Sequence, residues 1–120
     1  MGLTLFIIKG NIVQEDKEDV SINPSAIIAK RDVITIGRGT ASDIRTTCDK
    51  VSRKHCTIVR RNKEWFIIDH NTTAGTFIIR DQKFIVQLIS GEFPLKWADT
   101  ISLGGIGKDT AILELKFGGR

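Results

Sequence analysis

Val51-Ser52-Arg53-Lys54-His55-Cys56-Thr57-Ile58 is the stretch whose reading decides the fold. A short polar run, Ser52 to Lys54, opens directly into alternation in which Cys56 and Ile58 share one side and Thr57 takes the other, the period of a strand with a dry face. Upstream, the apolar segment Val33-Ile34-Thr35-Ile36 delivers Gly37-Arg38 to a loop. Downstream, Thr72-Thr73-Ala74-Gly75 leads into Thr76-Phe77. Alone, a Gly-Arg pair or a Ser before Lys-His carries no information. The ordered set, strung between short apolar segments, is hard to obtain by chance.

Working outward, period-2 alternation dominates and nothing sustains a 3.6-residue period. Near the end, Leu113, Leu115 and Phe117 alternate with Glu114 and Lys116, one dry face and one wet. Further strands are predicted at 3–9, 25–29, 33–36, 55–60, 65–69, 76–79, 83–89 and 100–103. Turn signals separate them at Asn23-Pro24, Gly37 to Gly39, Arg61 to Lys63, Gly91 and Gly104-Gly105, with a charged loop or hairpin tip at Gln14 to Asp19. The spacing predicts an all-β antiparallel sandwich.

Length and composition agree: 120 residues with 41% hydrophobic content suit one domain, residues 1–120, around one core. No linker, repeat or low-complexity tract interrupts it. Apolar runs such as Phe66-Ile67-Ile68 fall far short of the roughly 20 residues that span a bilayer. The start, Met1 to Phe6, has no basic n-region, and Phe6 sits where N-myristoylation needs Ser or Thr, so a cytoplasmic protein is expected. Cys48 and Cys56, with only His55 and His70 nearby, do not have zinc spacing, and no metal or cofactor is expected. Cys56 reads as a small buried hydrophobe; a Cys48–Cys56 disulfide is left open by sequence, with a cytosolic setting against it.

Charge is uneven. From Ile44 to Lys63 there are seven basic residues (Arg45, Lys50, Arg53, Lys54, Arg60, Arg61, Lys63) against Asp49 alone, a net of +6, while the whole chain carries +4. A focused basic surface favours an anionic partner. Nucleic acid is disfavoured, because interleaved aromatics are lacking and Tyr is absent.

The ordered blocks resemble the forkhead-associated (FHA) domain family. Val33-Ile34-Thr35-Ile36-Gly37-Arg38 with Ser42-Asp43-Ile44 is similar to its opening, where Ser-Asp-Ile precedes a short strand. Val51-Ser52-Arg53-Lys54-His55 with Ile58 matches its second block, partnered by Trp65 to Asp69, and Thr72 to Phe77 its third. Leu95, Asp99, Ile101, Leu103 and Gly104 resemble its closing segment, so the likeness runs from about Leu3 to Phe117. The resemblance implies a sandwich of two twisted sheets with the binding loops gathered at one end, and a phosphothreonine-peptide adaptor in signalling rather than an enzyme.

A phosphothreonine carries about −1.5 to −2 charge and three strong acceptors, so its receptor needs converging donors. By the resemblance Arg38 grips the phosphate with its planar, permanently charged fork, Ser52 adds a hydroxyl, and Arg53 and Thr73 reach the phosphopeptide. Gly39, Lys54 and Ala74 are candidate peptide contacts. Gly37, His55, Gly75 and Thr76 are expected to hold the binding loops in shape, His55 by hydrogen bonding and the glycines through backbone conformation or close packing. Read singly, each is blander: an arginine after a loop glycine is usually a solvated surface residue and a lone serine a turn former.

Departures accompany the matches. The family's Asn before Gly-Thr, which bonds the peptide main chain, is Ala74 here; losing that contact costs about 1–3 kcal/mol if its partner is left unpaired. Ile79-Arg80 replaces a later Asn-Gly, and Ala98 stands where Gly is usual. Three functions are therefore weighed: a phosphothreonine-dependent adaptor whose partner carries acidic neighbours; an FHA fold with a weakened phosphate site that assembles independently of phosphate; and a small His55-dependent hydrolase. Paired carboxylates and nucleophile spacing are missing for the last, and Asp43, Asp49 and Asp69 read as turn and strand-end residues.

Overall fold

The computed structural model describes residues 2–104 and 111–118, with the side chain of Phe84 set aside. Twelve strands follow in chain order: β1 Leu3–Lys9, β2 Val20–Ile22, β3 Ala26–Ala29, β4 Val33–Gly37, β5 Ile44–Arg45, β6 Cys56–Arg61, β7 Glu64–Asp69, β8 Thr76–Arg80, β9 Lys83–Leu88, β10 Gly91–Pro94, β11 Thr100–Leu103 and β12 Leu113–Gly118. They form a seven-stranded sheet, β2-β3-β1-β12-β11-β8-β9, and a five-stranded sheet, β10-β7-β6-β4-β5. This is the expected sandwich, with one departure: β4 and β5 pair in parallel, Ile36 opposite Ile44 and Gly37 opposite Arg45.

Alternation places the core. Leu5, Ile27, Ile34, Ile36, Ile58, Ile67, Ile101 and Leu113 are fully buried between the sheets. Leu115 and Phe117 continue the dry face of β12, while Lys116 is exposed. Trp65 on β7 meets Phe117 on β12 edge to face, with centroids 6.0 Å apart, so this pair joins the two sheets. Trp97 stacks on Phe117 at 4.6 Å.

Strands missed by the alternation are short or carry breaker residues. β2 has three residues. β10 begins at Gly91 and ends at Pro94; it pairs only with β7, an edge position where proline's missing N–H is tolerated. Gly91 is therefore the first residue of a strand as well as a turn signal. The short strand expected after Ser42-Asp43-Ile44 starts at Ile44 itself. The turn expected at Gly104-Gly105 lies partly outside the described residues.

Two hairpins turn on residue pairs with positive φ, Asn62 (52°) and Lys63 (69°) between β6 and β7, and Asp81 (53°) and Gln82 (63°) between β8 and β9. Positive φ at both central residues is the twist-matched two-residue turn. The second lies just beyond Ile79-Arg80, which are the end of β8. Ala98 holds φ +75°, so its backbone keeps the conformation for which glycine is usual.

Strand direction sorts the loops. β4 and β7 end, and β6 and β8 begin, at one pole, which gathers the loops 38–43, 46–55 and 70–75. The β6–β7 and β8–β9 hairpins and residues 95–99 lie at the other.

Candidate functional site

Two loops meet where Gly37 and Gly39 allow. A Cβ on Gly37 would lie 2.2 Å from the Arg53 carbonyl oxygen, and one on Gly39 would lie 3.0 Å from it. The absence of side chains lets the Arg38 N–H donate to the Ser52 carbonyl at 3.0 Å and the Gly39 N–H to the Arg53 carbonyl at 3.0 Å. Gly39 thus acts first in packing loop on loop. Ser42 adds its hydroxyl, donated to the same Arg53 carbonyl at 3.3 Å.

Arg38 is half-buried, and its Nε donates to the Val51 carbonyl at 3.0 Å. That bond aims the guanidinium while both terminal nitrogens keep no protein partner among the described residues. Ser52, half-buried beside it, also keeps its hydroxyl free there. The Ser52 N–H is occupied: it donates to His55 Nδ1 at 3.1 Å. Of its two donors, only the Ser52 hydroxyl is left uncommitted among the described residues.

His55 is fully buried. With Nδ1 accepting from Ser52, its Nε2 carries the proton and donates to the Gly75 carbonyl at 2.9 Å. The ring thus ties loop 46–55 to loop 70–75. Its own backbone continues the tie, taking the Ile36 carbonyl at 3.1 Å and receiving the His70 N–H at 3.0 Å. Asp69 Oδ1 lies 4.0 Å from Nε2, so Ser52, His55 and Asp69 superficially suggest a triad. Yet the serine contributes its backbone N–H, and the imidazole is sealed from solvent with both nitrogens engaged, so no substrate can reach it.

Loop 70–75 is built on Asp69, which alternation marked only as a strand end. Its buried carboxylate accepts the Thr72 N–H (3.0 Å), the Thr72 hydroxyl (2.8 Å) and the Thr76 hydroxyl (2.7 Å). Thr72 Oγ1 in turn accepts the Gly75 N–H at 3.0 Å. Asp-x-x-Thr is a local side-chain turn, and that spacing was the available signal for Asp69 and Thr72. Gly75 has φ +81°. The result presents Thr73 exposed and Ala74 half-buried at the rim, while Thr76 is wholly buried as a support.

Arg53 and Lys54 are exposed and line a cleft of about 430 Å³ with Thr35, Thr40 and Ser42, residues that do not include Arg38 or Ser52. His70 lies beyond: its Nε2 and the Thr57 hydroxyl are 2.7 Å apart. Burial, then the nearby Lys54 ammonium, lowers its pKa below the usual histidine value, with Asp69 opposing.

The +6 window is divided by the fold. Lys50, Arg53 and Lys54 accompany the loops. Arg60, Arg61 and Lys63 sit at the far end of β6, about 17 Å away along the strand. There Arg61 grips Glu92 through two bonds of 3.0 and 2.8 Å, and Arg60 lies 3.6 Å from Asp32. Arg45, half-buried on β5, leaves Nε without a partner among the described residues.

Cys48 and Cys56 are free thiols. Burial pushes the Cys56 thiol far above its ordinary range, which makes it a hydrophobe and not a nucleophile. Among the described residues no group of His, Cys, Asp or Glu could hold a metal ion, and no helix is long and apolar enough to cross a membrane.

The FHA domain family model matches residues 34–104, and the chain belongs to that family. FHA domains are binding modules rather than enzymes. No curated protein matches the chain. Among solved structures it is similar to the FHA domain of an Arabidopsis thaliana hypothetical protein (TM-score 0.70, 20% identity, covering 98% of this chain and 85% of that one). It is also similar to the FHA domain of the CT664 protein from Chlamydia trachomatis (0.68, 14%, 100% and 99%). A third likeness is to the N-terminal FHA domain of S. cerevisiae Rad53p, solved with a phosphothreonine peptide (0.66, 20%, 100% and 94%).

Proposed function

We propose that the chain is a phosphothreonine-peptide-binding adaptor, one domain over residues 1–120, that joins proteins in a phosphorylation-dependent way. The observation that carries this reading is Arg38, fixed through Nε on the Val51 carbonyl with its terminal nitrogens unspent beside the free Ser52 hydroxyl. A forked cation and a short hydroxyl, with no carboxylate between them, suit a dianionic phosphate ester. Thr73, exposed on the Asp69-built loop, supplies a further hydroxyl to the peptide at the phosphothreonine. That the Rad53p domain takes a phosphothreonine peptide supports the same use of the fold. The partner is a phosphothreonine protein with acidic flanking residues, met in cytoplasmic signalling, where the two free thiols stay reduced.

Ala74 favours the second reading, an FHA fold with a weakened phosphate site that assembles independently of phosphate; Phe6, Ile8 and Ile28, exposed on the outer face of the seven-stranded sheet, would be its contact surface. Calorimetric binding to degenerate phosphothreonine, phosphoserine and unphosphorylated peptide libraries, repeated on Arg38→Ala, decides between them. Binding that requires both phosphothreonine and Arg38 is expected. Silence from a folded protein across all libraries would refute the adaptor reading.

A further inference from the structure

The pole opposite the candidate site carries a pocket of about 460 Å³, within the roughly 300–1,000 Å³ of ligand sites. Residues 63–65 at the β6–β7 turn, residues 94–97 at the end of β10 and beyond it, and Phe117 near the end of β12 line it. Its wall is aromatic. Trp97 stacks on Phe117 with one indole face and is still 44% exposed, so the other face is open.

Trp65 is only 6% exposed, yet its indole N–H has no acceptor among the described residues. Nor is that N–H shut inside the core, because the sealed side-chain polar atom left without a partner there is Arg45 Nε. It therefore opens to the pocket that Trp65 lines. The Trp97 N–H has no acceptor among the described residues either. An indole N–H only donates, so the pocket offers two donors and calls for acceptors. Charge adds to this. Lys63 and Lys96 are exposed on the rim without ion-pair or hydrogen-bond partners among the described residues, and Glu64 is the one carboxylate in the lining. Nearby, Arg61 and Glu92 satisfy each other through two hydrogen bonds. The rim keeps an excess of cation.

The need for acceptors selects the occupant. A helix spends its carbonyls within itself. A strand needs an edge to pair with, and β10 closes on Pro94, which has no N–H to give. A polyproline II segment makes no internal hydrogen bonds, so its carbonyls are all free, and aromatic-lined grooves take such segments.

We propose that this pocket docks a proline-containing, polyproline II segment of a partner protein. The Trp65 and Trp97 N–H groups donate to its carbonyls, a proline ring packs on the open face of Trp97, and an acidic residue beside the proline meets Lys63 and Lys96. Phosphate plays no part in it. Because the Arg38 loops lie at the other pole, one chain can hold two partner segments at once.

The test is a titration of the folded, isotope-labelled 120-residue chain with short unphosphorylated peptides. Three kinds are compared: Pro-x-x-Pro with glutamate flanks, Pro-x-x-Pro with lysine flanks, and the glutamate-flanked peptide with alanine for each proline. The chain has two tryptophans, so its nitrogen–proton correlation spectrum holds two indole signals, assigned with Trp97→Phe. Both signals are expected to move with the glutamate-flanked proline peptide and to saturate together. Trp97→Phe keeps an aromatic stack on Phe117 and loses the N–H, and is expected to weaken binding about two- to tenfold, the scale of one hydrogen bond. Lys63→Glu combined with Lys96→Glu, both at exposed positions, is expected to turn the preference toward lysine flanks.

Indole signals that stay still with every proline peptide, or that move equally with the alanine peptide, overturn the proposal. Binding abolished by Arg38→Ala overturns it too, since that places the peptide at the other pole. A preference for glutamate flanks that survives the double variant refutes the part given to the lysines. Sedimentation without peptide checks the remaining occupant: indole signals that shift with protein concentration as a dimer forms mean that a second copy fills the pocket, and the proposal falls.

Discussion

His55→Ala removes the ring that ties two loops together. The perturbation leaves the Ser52 N–H without its acceptor and the Gly75 carbonyl without its donor. A buried backbone group left unpaired costs about 1–3 kcal/mol. Gly75 is buried, so its carbonyl is placed in the upper half of that range; Ser52 is half-buried and water relieves part of its loss. The sum is about 3–4 kcal/mol, a large part of the roughly 5–15 kcal/mol total stability of a domain. With an unfolding entropy of about 2.1 cal/mol/K per residue, a 120-residue chain carries about 0.25 kcal/mol/K, so Tm falls by about 12–16 °C. Urea unfolding followed by circular dichroism gives the free energy, and thermal melts give Tm. Peptide binding measured at 10 °C, where the variant is still mainly folded, then separates stability from recognition. Binding is expected to weaken through loosened loops, alongside the stability loss. A variant within about 0.5 kcal/mol of wild type would refute the bridging role, and unchanged stability with lost binding would move His55 into the ligand site.

Further outcomes follow from the same contacts. Gly37→Ala drives a Cβ to 2.2 Å from the Arg53 carbonyl, so it should destabilise by about 1–3 kcal/mol in urea unfolding; an unchanged midpoint would mean the loops are not held that closely. Ala98→Gly should raise stability by about 0.5–1 kcal/mol, because φ +75° strains alanine more than glycine's extra chain entropy offsets, and a loss would refute the strain. Ala74→Asn should tighten phosphothreonine-peptide binding about ten- to a hundredfold if only that main-chain contact is missing, with no gain pointing to a wider divergence of the pocket. His70 titrates below the usual histidine value of 6.5, so its neutral form is favoured in the folded state. Stability should fall as pH drops from about 6.5 through that lowered pKa, and His70→Asn should remove this part of the slope; an identical slope in the variant would refute the assignment.

Much of the fold is readable in the chain itself. Leu113, Leu115 and Phe117 named the dry face of β12, and Asn62-Lys63 fell inside a turn foreseen from composition. Such signals are local, since a strand's two faces and a turn's φ are decided within a few residues. β10 escaped because Gly91 and Pro94 read as breakers, and only its edge position beside β7 makes them acceptable. In the candidate site, the resemblance of the ordered blocks singled out Arg38, Ser52 and His55, whereas the Asp69–Thr72 scaffold was passed over because a strand-end aspartate usually needs no further explanation.

The sequence by itself determined the class of fold and the order of the blocks, because alternation, turn chemistry and spacing are properties of neighbours along the chain, while the residues assigned to a phosphate rest on the resemblance those blocks carry. Only the tertiary structure decided that β1 stands between β3 and β12 and that β5 runs parallel to β4. It also decided that the basic window is split between two poles and that Arg53 and Lys54 face a cleft of their own. Those outcomes depend on which strands stand side by side and in what register, and a period of two marks the dry face of each strand without naming its partner.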